Sequence, residues 1–208
     1  MKDATTVFVV DDDPAVVQAV ARLLRSENYR VREFCSAAEF LMQHSHDVPG
    51  CAILDLAMPG MNGLEVQKAL SEDGVRHVIF VSAFGDIPSS VGAMKAGAVD
   101  FLVKPFDDVD LLRAVKSAID KDLRQRAERA EQASLQKLLA DLTPREHEVL
   151  MHVVSGRINK LIAADLGISE KTVKVHRARV MEKMNVGSVA ELARLCERTG
   201  LGLPPPRP

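Results

Sequence analysis

Long hydrophobic runs, a signal-peptide pattern and cysteines are missing or scarce in this sequence. No segment approaches the roughly 18 consecutive apolar residues of a membrane-spanning helix, and the N-terminus shows no signal-peptide pattern. We therefore expect a cytoplasmic protein with no membrane partner. Cys35, Cys51 and Cys196 are odd in number and lack the spacing of metal ligands, which favours free, buried thiols over disulfides or a zinc site.

The charged residues are unevenly distributed along the 208 residues. Residues 1–120 contain 11 Lys and Arg against 18 Asp and Glu, whereas the residues from 141 onward contain 11 against 8. The length suits two globular domains. We predict a first domain at 1–120, a helical linker at 121–140, a second domain at 141–200 and a proline-rich, disordered tail at 201–208. The basic second domain points to an anionic partner such as nucleic acid.

Apolar runs alternate with helical patterns throughout the first domain. Five such runs predict strands: Thr6–Val10, Arg30–Phe34, Cys51–Asp55, His77–Val81 and Val99–Val103. Repeated strand–helix alternation favours right-handed crossovers and parallel strands. The fold class predicted here is therefore α/β, a five-stranded parallel sheet with helices on both faces.

Polar side chains follow or end several of these strands: Asp11, Asp12, Asp55, Ser82 and Lys104. The carboxyl ends of parallel strands share one edge, where ligands bind. Carboxylates gathered there repel one another unless a cation is present, and oxygen ligands favour Mg²⁺ beside a phosphoryl group. Asp55 could then attack phosphorus, while Lys104 and Ser82 stabilise the phosphoryl oxygens.

Each of these residues has a structural alternative. Asp12 or Asp13 could cap the following helix, Lys104 could be solvated, and Ser82 could be a turn hydroxyl. We favour a functional role for these residues because all of them occur, in order, along one edge of the predicted sheet. Asp13 is the exception, and we predict that it caps the helix.

Residues 5–120 resemble the receiver domain of bacterial two-component response regulators, and are most similar to its FixJ branch. The matching motifs are the Asp11/Asp12 pair, Leu54-Asp55-Leu56-Ala57-Met58-Pro59-Gly60-Met61-Asn62-Gly63, Ser82-Ala83 and Lys104-Pro105-Phe106. The resemblance implies a flavodoxin-like, doubly wound fold and a phosphoacceptor at Asp55. It also implies that a sensor histidine kinase supplies the phosphoryl group.

The resemblance further assigns roles around Asp55. It implies that Asp12, Asp55 and the backbone carbonyl of Ala57 bind Mg²⁺, with Asp11 contributing mostly through water. It implies that Lys104 and Ser82 contact the phosphoryl group, that the Lys104–Pro105 bond is cis, and that Phe101 pairs with Ser82 as a conformational switch. Ala57 and Phe84 offer no polar group that could orient a hydrolytic water, so we expect a long-lived aspartyl phosphate.

Residues 107–140 contain neither Pro nor Gly, which predicts that the fifth helix continues past the first domain. Small and apolar residues recur at helical spacing: Ile119, Leu123, Ala127, Ala130, Ser134 and Leu138. Because the central members are small, we favour a mostly solvated helix over a strong coiled coil. A flexible tether is the alternative.

The second domain is predicted to contain four helices. Thr143, Pro144 and Glu146 form a helix start with a capping box. Further helices are predicted at Asn159–Leu166, Glu170–Met184 and Ser188–Cys196, with Gly167 ending the second. The short second helix, its glycine-containing turn and the third helix form a helix-turn-helix.

The third of these helices has an apolar face and a basic face. Val173, Val180 and Met184 are predicted to point inward, and the other side suits a DNA major groove. Residues 141–198 resemble the LuxR-type DNA-binding domain. The candidate DNA contacts are Lys171, Thr172, Lys174, Val175, His176, Arg177 and Ala178, with Asn159 and Lys160 on the preceding helix. A helical interaction module is the alternative.

The combined prediction is a response regulator of the FixJ/NarL family with a LuxR-type helix-turn-helix, a DNA-binding transcription regulator rather than an enzyme. Its expected partners are a sensor histidine kinase, double-stranded DNA and a second copy of the chain, which pairs on phosphorylation. RNA polymerase is a further candidate. One alternative is a regulator that works without phosphorylation. The other is a phosphohydrolase of the haloacid dehalogenase type, suggested by Asp11-x-Asp13 and by Lys104 near Asp107-Asp108.

Overall fold

The computed structural model of the chain describes residues 5–72, 76–83 and 87–198. It separates into two compact units, Met1–Arg126 and Ala127–Pro208. The tail predicted at 201–208 lies outside the described residues. In the described part, no helix is both long and apolar enough to cross a membrane.

The first unit contains a five-stranded parallel sheet, as predicted. Its strands are β1 (Thr6–Val10), β2 (Arg30–Phe34), β3 (Gly50–Asp55), β4 (His77–Ser82) and β5 (Asp100–Val103). They are arranged in the order β2-β1-β3-β4-β5, and every neighbouring pair is parallel. The α/β fold class is thus confirmed, and β1 and β3 occupy central positions because their side chains are apolar on both faces.

Helices cover both faces of this sheet. They are α1 (Pro14–Ser26), α2 (Ala37–Gln43), α3 (Gly63–Glu72), α4 (Ile87–Lys95) and α5 (Asp108–Ala140). One face of the sheet packs against α1 and α5 in a core that includes Val17 and Leu111. The other packs against α2, α3 and α4 in a core that includes Phe40 and Leu70. This two-sided cover buries the inner strands β1, β3 and β4, whereas the edge strands β2 and β5 are only partly buried.

Strand β3 begins at Gly50, one residue before the predicted start. A Cβ atom at this position would lie 1.8 Å from the backbone oxygen of Thr6 on the neighbouring strand, and φ is +139°. Only glycine permits both the close approach and this backbone angle. Sequence periodicity does not detect such a packing requirement, and the predicted strand therefore started at Cys51.

The cysteines are free, as predicted, but they differ in exposure. Cys51 and Cys196 are buried, whereas Cys35 is exposed. The prediction of a buried thiol is therefore wrong for Cys35, which directly follows the edge strand β2. Complete burial raises the pKa of the Cys51 thiol to about 12.

The second unit contains the four predicted helices: α6 (Pro144–Val154), α7 (Asn159–Leu166), α8 (Glu170–Lys183) and α9 (Val189–Arg198). The capping box is present, because Thr143 accepts a hydrogen bond from the Glu146 N–H and Glu146 accepts one from the Thr143 N–H. The inward positions predicted on α8, which are Val173, Val180 and Met184, are buried in the core.

Helix α5 is continuous over 33 residues, so residues 121–140 are helical and the fifth helix continues past residue 120 as predicted. The side chains of Ala127, Ala130 and Ser134 are exposed along it. The exposure of these three side chains agrees with the prediction of a helix that is solvated in the single chain.

Candidate functional site

Three strands of the first unit bring charged side chains to one edge of the sheet. Asp11 directly follows β1, Asp55 ends β3 and Lys104 directly follows β5. The Nζ atom of Lys104 donates hydrogen bonds to Asp11 Oδ2 at 2.5 Å and to Asp55 Oδ1 at 2.7 Å. One ammonium group thus bridges two carboxylates.

Backbone amides hold the other oxygens of the two carboxylates. The N–H of Asp13 donates to Asp11 Oδ1 at 3.0 Å, and the N–H of Ala57 donates to Asp55 Oδ2 at 2.7 Å. Asp11 is 2% exposed and Asp55 is 5% exposed. Hydrogen bonds to charged groups are stronger than neutral ones, so both carboxylates are fixed in orientation.

For both Asp11 and Lys104, burial and hydrogen bonding shift the side-chain pKa in opposite directions. Burial raises the pKa of Asp11 above its usual value, although the hydrogen bond from Lys104 acts against this rise. Burial acts to lower the pKa of Lys104, but hydrogen bonds to Asp11 and Asp55 outweigh it and the pKa is raised. Lys104 therefore stays protonated at neutral pH and provides a fixed positive charge next to Asp55.

A cis peptide bond joins Lys104 to Pro105, as the resemblance implied. It lies immediately after β5, at the point where the chain turns toward α5. Lys104 itself reaches Asp11, directly after β1, and Asp55, at the end of β3.

Asp12 and Asp13 are both exposed. Asp13 caps α1, accepting a hydrogen bond from the Ala15 N–H at 2.8 Å, which confirms its predicted capping role. Its carboxylate is thereby used in the helix start. No group of three or more His, Cys, Asp or Glu side chains among the described residues is close enough to hold a metal ion. The structure brings Asp11 together with Asp55 and does not add Asp12 to them as a third ligand.

The donor set nevertheless fits the chemistry of Mg²⁺. Carboxylate and carbonyl oxygens are the protein ligands that Mg²⁺ prefers, and it retains several waters when it binds through one or two carboxylates. Asp55 and Asp11 supply two such groups on adjacent strands, and the exposed Asp12 and Ala57 adjoin them in sequence.

The predicted switch residues lie on β4 and β5. Ser82 ends β4 and is 1% exposed, while Phe101 on β5 is partly buried against the core that includes Phe40. In the sheet register Ser82 lies opposite Val103, and Phe101 lies opposite Phe80. The structure therefore places the pair on adjacent strands, two residues apart in register. Phe84 lies outside the described residues.

Sequence reasoning did not assign a role to Gly63, the first residue of α3. A Cβ atom there would lie 2.5 Å from the backbone oxygen of Asp55 and 2.8 Å from the Phe80 ring. Contacts this short would require the end of β3 to move. Gly63 thus allows α3 to start directly against Asp55. The sequence signal for this role is the position of Gly63 in a Pro/Gly loop.

In the second unit, the outer face of α8 carries most of the predicted DNA contacts. The side chains of Lys171, Lys174, Val175 and Ala178 are exposed, while those of Thr172, His176 and Arg177 are partly buried. Thr172 belongs to the helix start, because its N–H donates to Ser169 Oγ at 3.1 Å. The Nδ1 atom of His176 is buried and has no hydrogen-bond partner within the described part of the chain.

Two predicted DNA contacts bind each other. Arg177 Nη1 on α8 donates to Asn159 Oδ1 at the first residue of α7, at 2.7 Å. The neighbouring Lys160 is exposed. Asn159 therefore uses its side-chain oxygen to hold the guanidinium group of Arg177 at the junction of the two helices.

Comparison with known proteins gives two family matches. Residues 7–116 match the response regulator receiver domain, and residues 140–196 match the luxR family of bacterial regulatory proteins. The chain is 45% identical over 195 residues to response regulator protein TmoT of Ectopseudomonas mendocina, covering 93% of this chain and 89% of that protein. It is 42% identical over 202 residues to transcriptional regulatory protein FixJ of Azorhizobium caulinodans, covering 97% and 96%.

Solved structures agree with these matches. The low-resolution structure of response regulator StyR is 45% identical, covers 94% of this chain and 99% of its own, and superposes with a TM-score of 0.86. Full-length FixJ from B. japonicum is 37% identical, covers 95% and 98%, and gives a TM-score of 0.57.

Proposed function

The chain belongs to the two-component response regulators that join a receiver domain to a LuxR-type helix-turn-helix, a family of transcription regulators, and we propose that phosphorylation of Asp55 controls its binding to DNA. The observation that carries this proposal is the bridge from Lys104 to Asp11 and Asp55. It holds a buried carboxylate ready for reaction, with a cation beside it.

In the proposed reaction an Asp55 carboxylate oxygen attacks the phosphorus of a phosphohistidine on a sensor histidine kinase. The new oxygen–phosphorus bond forms as the phosphorus–nitrogen bond of the donor breaks, and the electron pair leaves with the imidazole. Asp11, Asp12, Asp55 and the Ala57 carbonyl would hold Mg²⁺, which neutralises charge on the phosphoryl oxygens when bound. Lys104 supplies a second positive charge from the protein itself.

The phosphoryl oxygens then compete with the carboxylates for the same hydrogen-bond donors. Lys104 exchanges its bond to Asp55 for a phosphoryl oxygen, and the Ser82 hydroxyl donates a second hydrogen bond. Phe101 follows Ser82 and changes the surface of β5 and α4. In this proposal that surface pairs two copies of the chain, so that two helix-turn-helix units bind two DNA half-sites.

On DNA, α8 is proposed to enter the major groove. Lys174, Val175 and Ala178 would face the base edges, since they are exposed on the outer side of the helix. Lys171, Thr172, His176, Arg177 and Lys160 are proposed to contact the backbone, and Asn159 is proposed to act by orienting Arg177. RNA polymerase remains a candidate partner of the DNA-bound form.

The proposal is tested by incubating the full chain with acetyl phosphate and Mg²⁺ and recording intact mass and sedimentation. Wild type is expected to gain one phosphoryl group and to form a dimer, whereas Asp55→Ala is expected to do neither. Asp13→Asn keeps the cap of α1 while removing a nearby carboxylate, and it should behave as wild type. Absence of a mass gain in wild type would support regulation without phosphorylation, and sustained turnover of p-nitrophenyl phosphate would support a phosphohydrolase.

A further inference from the structure

The last part of α5 is built into the second unit, which begins at Ala127. Leu138 and Leu139 of this helix pack against the hydrophobic core of α6–α9. Earlier in the helix, Glu131 forms an ion pair with Arg198, the last residue of α9. The end of α5 therefore belongs to the same packed body as the helix-turn-helix.

Lys183, the last residue of α8, connects the end of α5 to the helix that is proposed to enter the major groove. Its Nζ atom donates a hydrogen bond to the backbone oxygen of Asp141 at 2.9 Å, one residue beyond the end of α5. The same atom donates to Glu146 Oε2 at 2.7 Å. One ammonium group thus joins the end of α8, the end of α5 and the first turn of α6.

The position of this ammonium group suits both helices electrostatically. The last carbonyl groups of a helix have no N–H partner within it, and they give its C-terminal end a partial negative charge. Lys183 lies at the C-terminal end of α8, and its Nζ atom binds the carbonyl group that follows α5. A single positive charge therefore stabilises two helix ends and holds them together.

Other bonds hold α8 nearer its start. Ser169 caps the helix, and Arg177 in its middle binds Asn159 of α7 at 2.7 Å. Lys183 adds a third point of attachment and leads to α5. Because a surface that is already fixed loses less conformational freedom on binding, these attachments favour DNA binding by α8.

We propose that Lys183 is a positioning residue for DNA binding, through which the end of α5 sets the orientation of α8 in the major groove. This role rests on the proposed function, because it requires that α8 binds DNA. It adds the route by which a change that arrives along α5 reaches α8. Lys183 acts without touching DNA, since its Nζ atom is bonded to Asp141 and Glu146 within the protein.

The variants are chosen so that no buried charge loses its partner. Glu146 is 2% exposed, and removing Lys183 alone would leave its carboxylate without a cation. Glu146→Gln is therefore the background, because its amide oxygen can still accept from Lys183 and from the Thr143 N–H. Glu146→Gln/Lys183→Met then removes the bond to Asp141, and Glu146→Gln/Lys183→Arg replaces it with a guanidinium donor. Lys137→Met, on the exposed side of α5, is the matched control.

The experiment measures the DNA affinity of the full chain by fluorescence anisotropy at several salt concentrations, on a duplex selected in vitro with the wild-type chain. Urea denaturation first establishes that every variant is folded at the temperature used. Glu146→Gln and Lys137→Met should bind within about twofold of wild type. Glu146→Gln/Lys183→Met should bind about tenfold more weakly than Glu146→Gln, and the arginine variant should recover most of this loss. The slope of log K against log salt should not change, because no phosphate contact is removed.

A second measurement tests the bond to Asp141 without DNA. Hydrogen exchange of residues 137–142, followed by mass spectrometry, should be faster in Glu146→Gln/Lys183→Met than in Glu146→Gln, because the end of α5 frays. Equal exchange in the two chains, or equal DNA affinity, would overturn the positioning role. A salt slope reduced by about 1 would overturn it as well, since Lys183 would then contact a phosphate directly. A wild-type chain that binds no selected duplex would overturn the proposed function, and the positioning role with it.

Discussion

Asp122 Oδ2, on α5, accepts a hydrogen bond from the backbone N–H of Gly50 at 2.8 Å, across 72 residues of sequence. The same oxygen accepts from Arg126 Nε at 2.8 Å. Arg126 in turn donates to the backbone oxygens of Asp47 and Val48 at 3.4 and 3.3 Å. These contacts tie the part of α5 beyond residue 120 to the start of β3. We propose that the receiver domain extends through Arg126.

The Asp122–Arg126 pair gives a first prediction. Asp122 is 2% exposed, so Arg126→Met leaves a buried carboxylate with one partner fewer and should lower the free energy of unfolding of the first unit by about 2 kcal/mol. Urea denaturation monitored by circular dichroism measures this. Arg124→Met, on the exposed side of the same helix, is the control and should change stability by less than about 0.5 kcal/mol.

A second prediction concerns acid stability of the second unit. Glu146 accepts a hydrogen bond from Lys183 Nζ at 2.7 Å and another from the Thr143 N–H at 2.9 Å. The bond from Lys183, followed by that from Thr143, lowers the pKa of Glu146 to about 2. A lowered pKa in the folded state stabilises the fold above the unfolded value of about 4.5, and this stability is lost as the pH falls toward 2.

The test is urea denaturation of the unit that contains α6–α9, measured at several pH values between 7 and 3. Wild type should lose stability over this range, whereas Glu146→Gln should be less stable at pH 7 and change less in acid. Glutamine keeps the capping-box hydrogen bond. The free energy of unfolding of Glu146→Ala should therefore be about 1 kcal/mol lower than that of Glu146→Gln. A pH dependence that is the same in Glu146→Gln and wild type would contradict the assignment.

A third prediction separates the roles of Asn159 and Arg177. If Arg177 contacts a phosphate, Arg177→Ala should weaken DNA binding and reduce the slope of log K against log salt by about 1. Asn159→Ala should weaken binding less, by about 1 kcal/mol, since it only loosens the guanidinium group. In the double variant the Asn159 change should add nothing further.

Affinity can be measured by fluorescence anisotropy on a duplex obtained by in vitro selection with the wild-type chain. Lys137→Ala, a charge removed from α5, is the matched control and should leave the salt slope unchanged. Full additivity of the two substitutions would show that Asn159 acts independently of Arg177.

A fourth prediction concerns the lifetime of the phosphorylated form. Ala57 has no side-chain group that could orient water toward the phosphoryl centre, and hydrolysis should therefore be slow. Ala57→Asn introduces such a group and should shorten the lifetime by several-fold. Phosphoprotein separated from acetyl phosphate, followed by intact mass, gives the decay rate. Loss of the phosphoryl group from wild type within seconds would contradict this expectation.

Local patterns were sufficient to predict most of the fold. Thr6–Val10 and Arg30–Phe34 were predicted with the observed bounds, because β-branched and alternating residues next to turn residues are strong strand signals. The caps at Asp13 and Thr143 were likewise predictable, since a cap depends only on residues within one helical turn. The strand order then brought Asp11, Asp55 and Lys104 to one edge.

Contacts between distant residues were not predictable from the sequence. Asp122 looks like any charged helical residue until β3 places the Gly50 N–H against it. Arg76 is 5% exposed and stacks 4.6 Å above the Phe8 ring, although arginine is rarely buried. Such pairings depend on side chains meeting across the assembled sheet, and no periodicity in a single sequence encodes them.

The tight packing of Gly63 against Asp55 has a genetic consequence. Every missense change at codon 63 adds at least a Cβ atom where the backbone oxygen of Asp55 lies 2.5 Å away. In a deep mutational scan selected for regulator output, position 63 should therefore tolerate substitution as poorly as Asp55, the proposed phosphoacceptor. Such a scan would group Gly63 with the residues of the candidate site around Asp55, although glycine has no side-chain functional group.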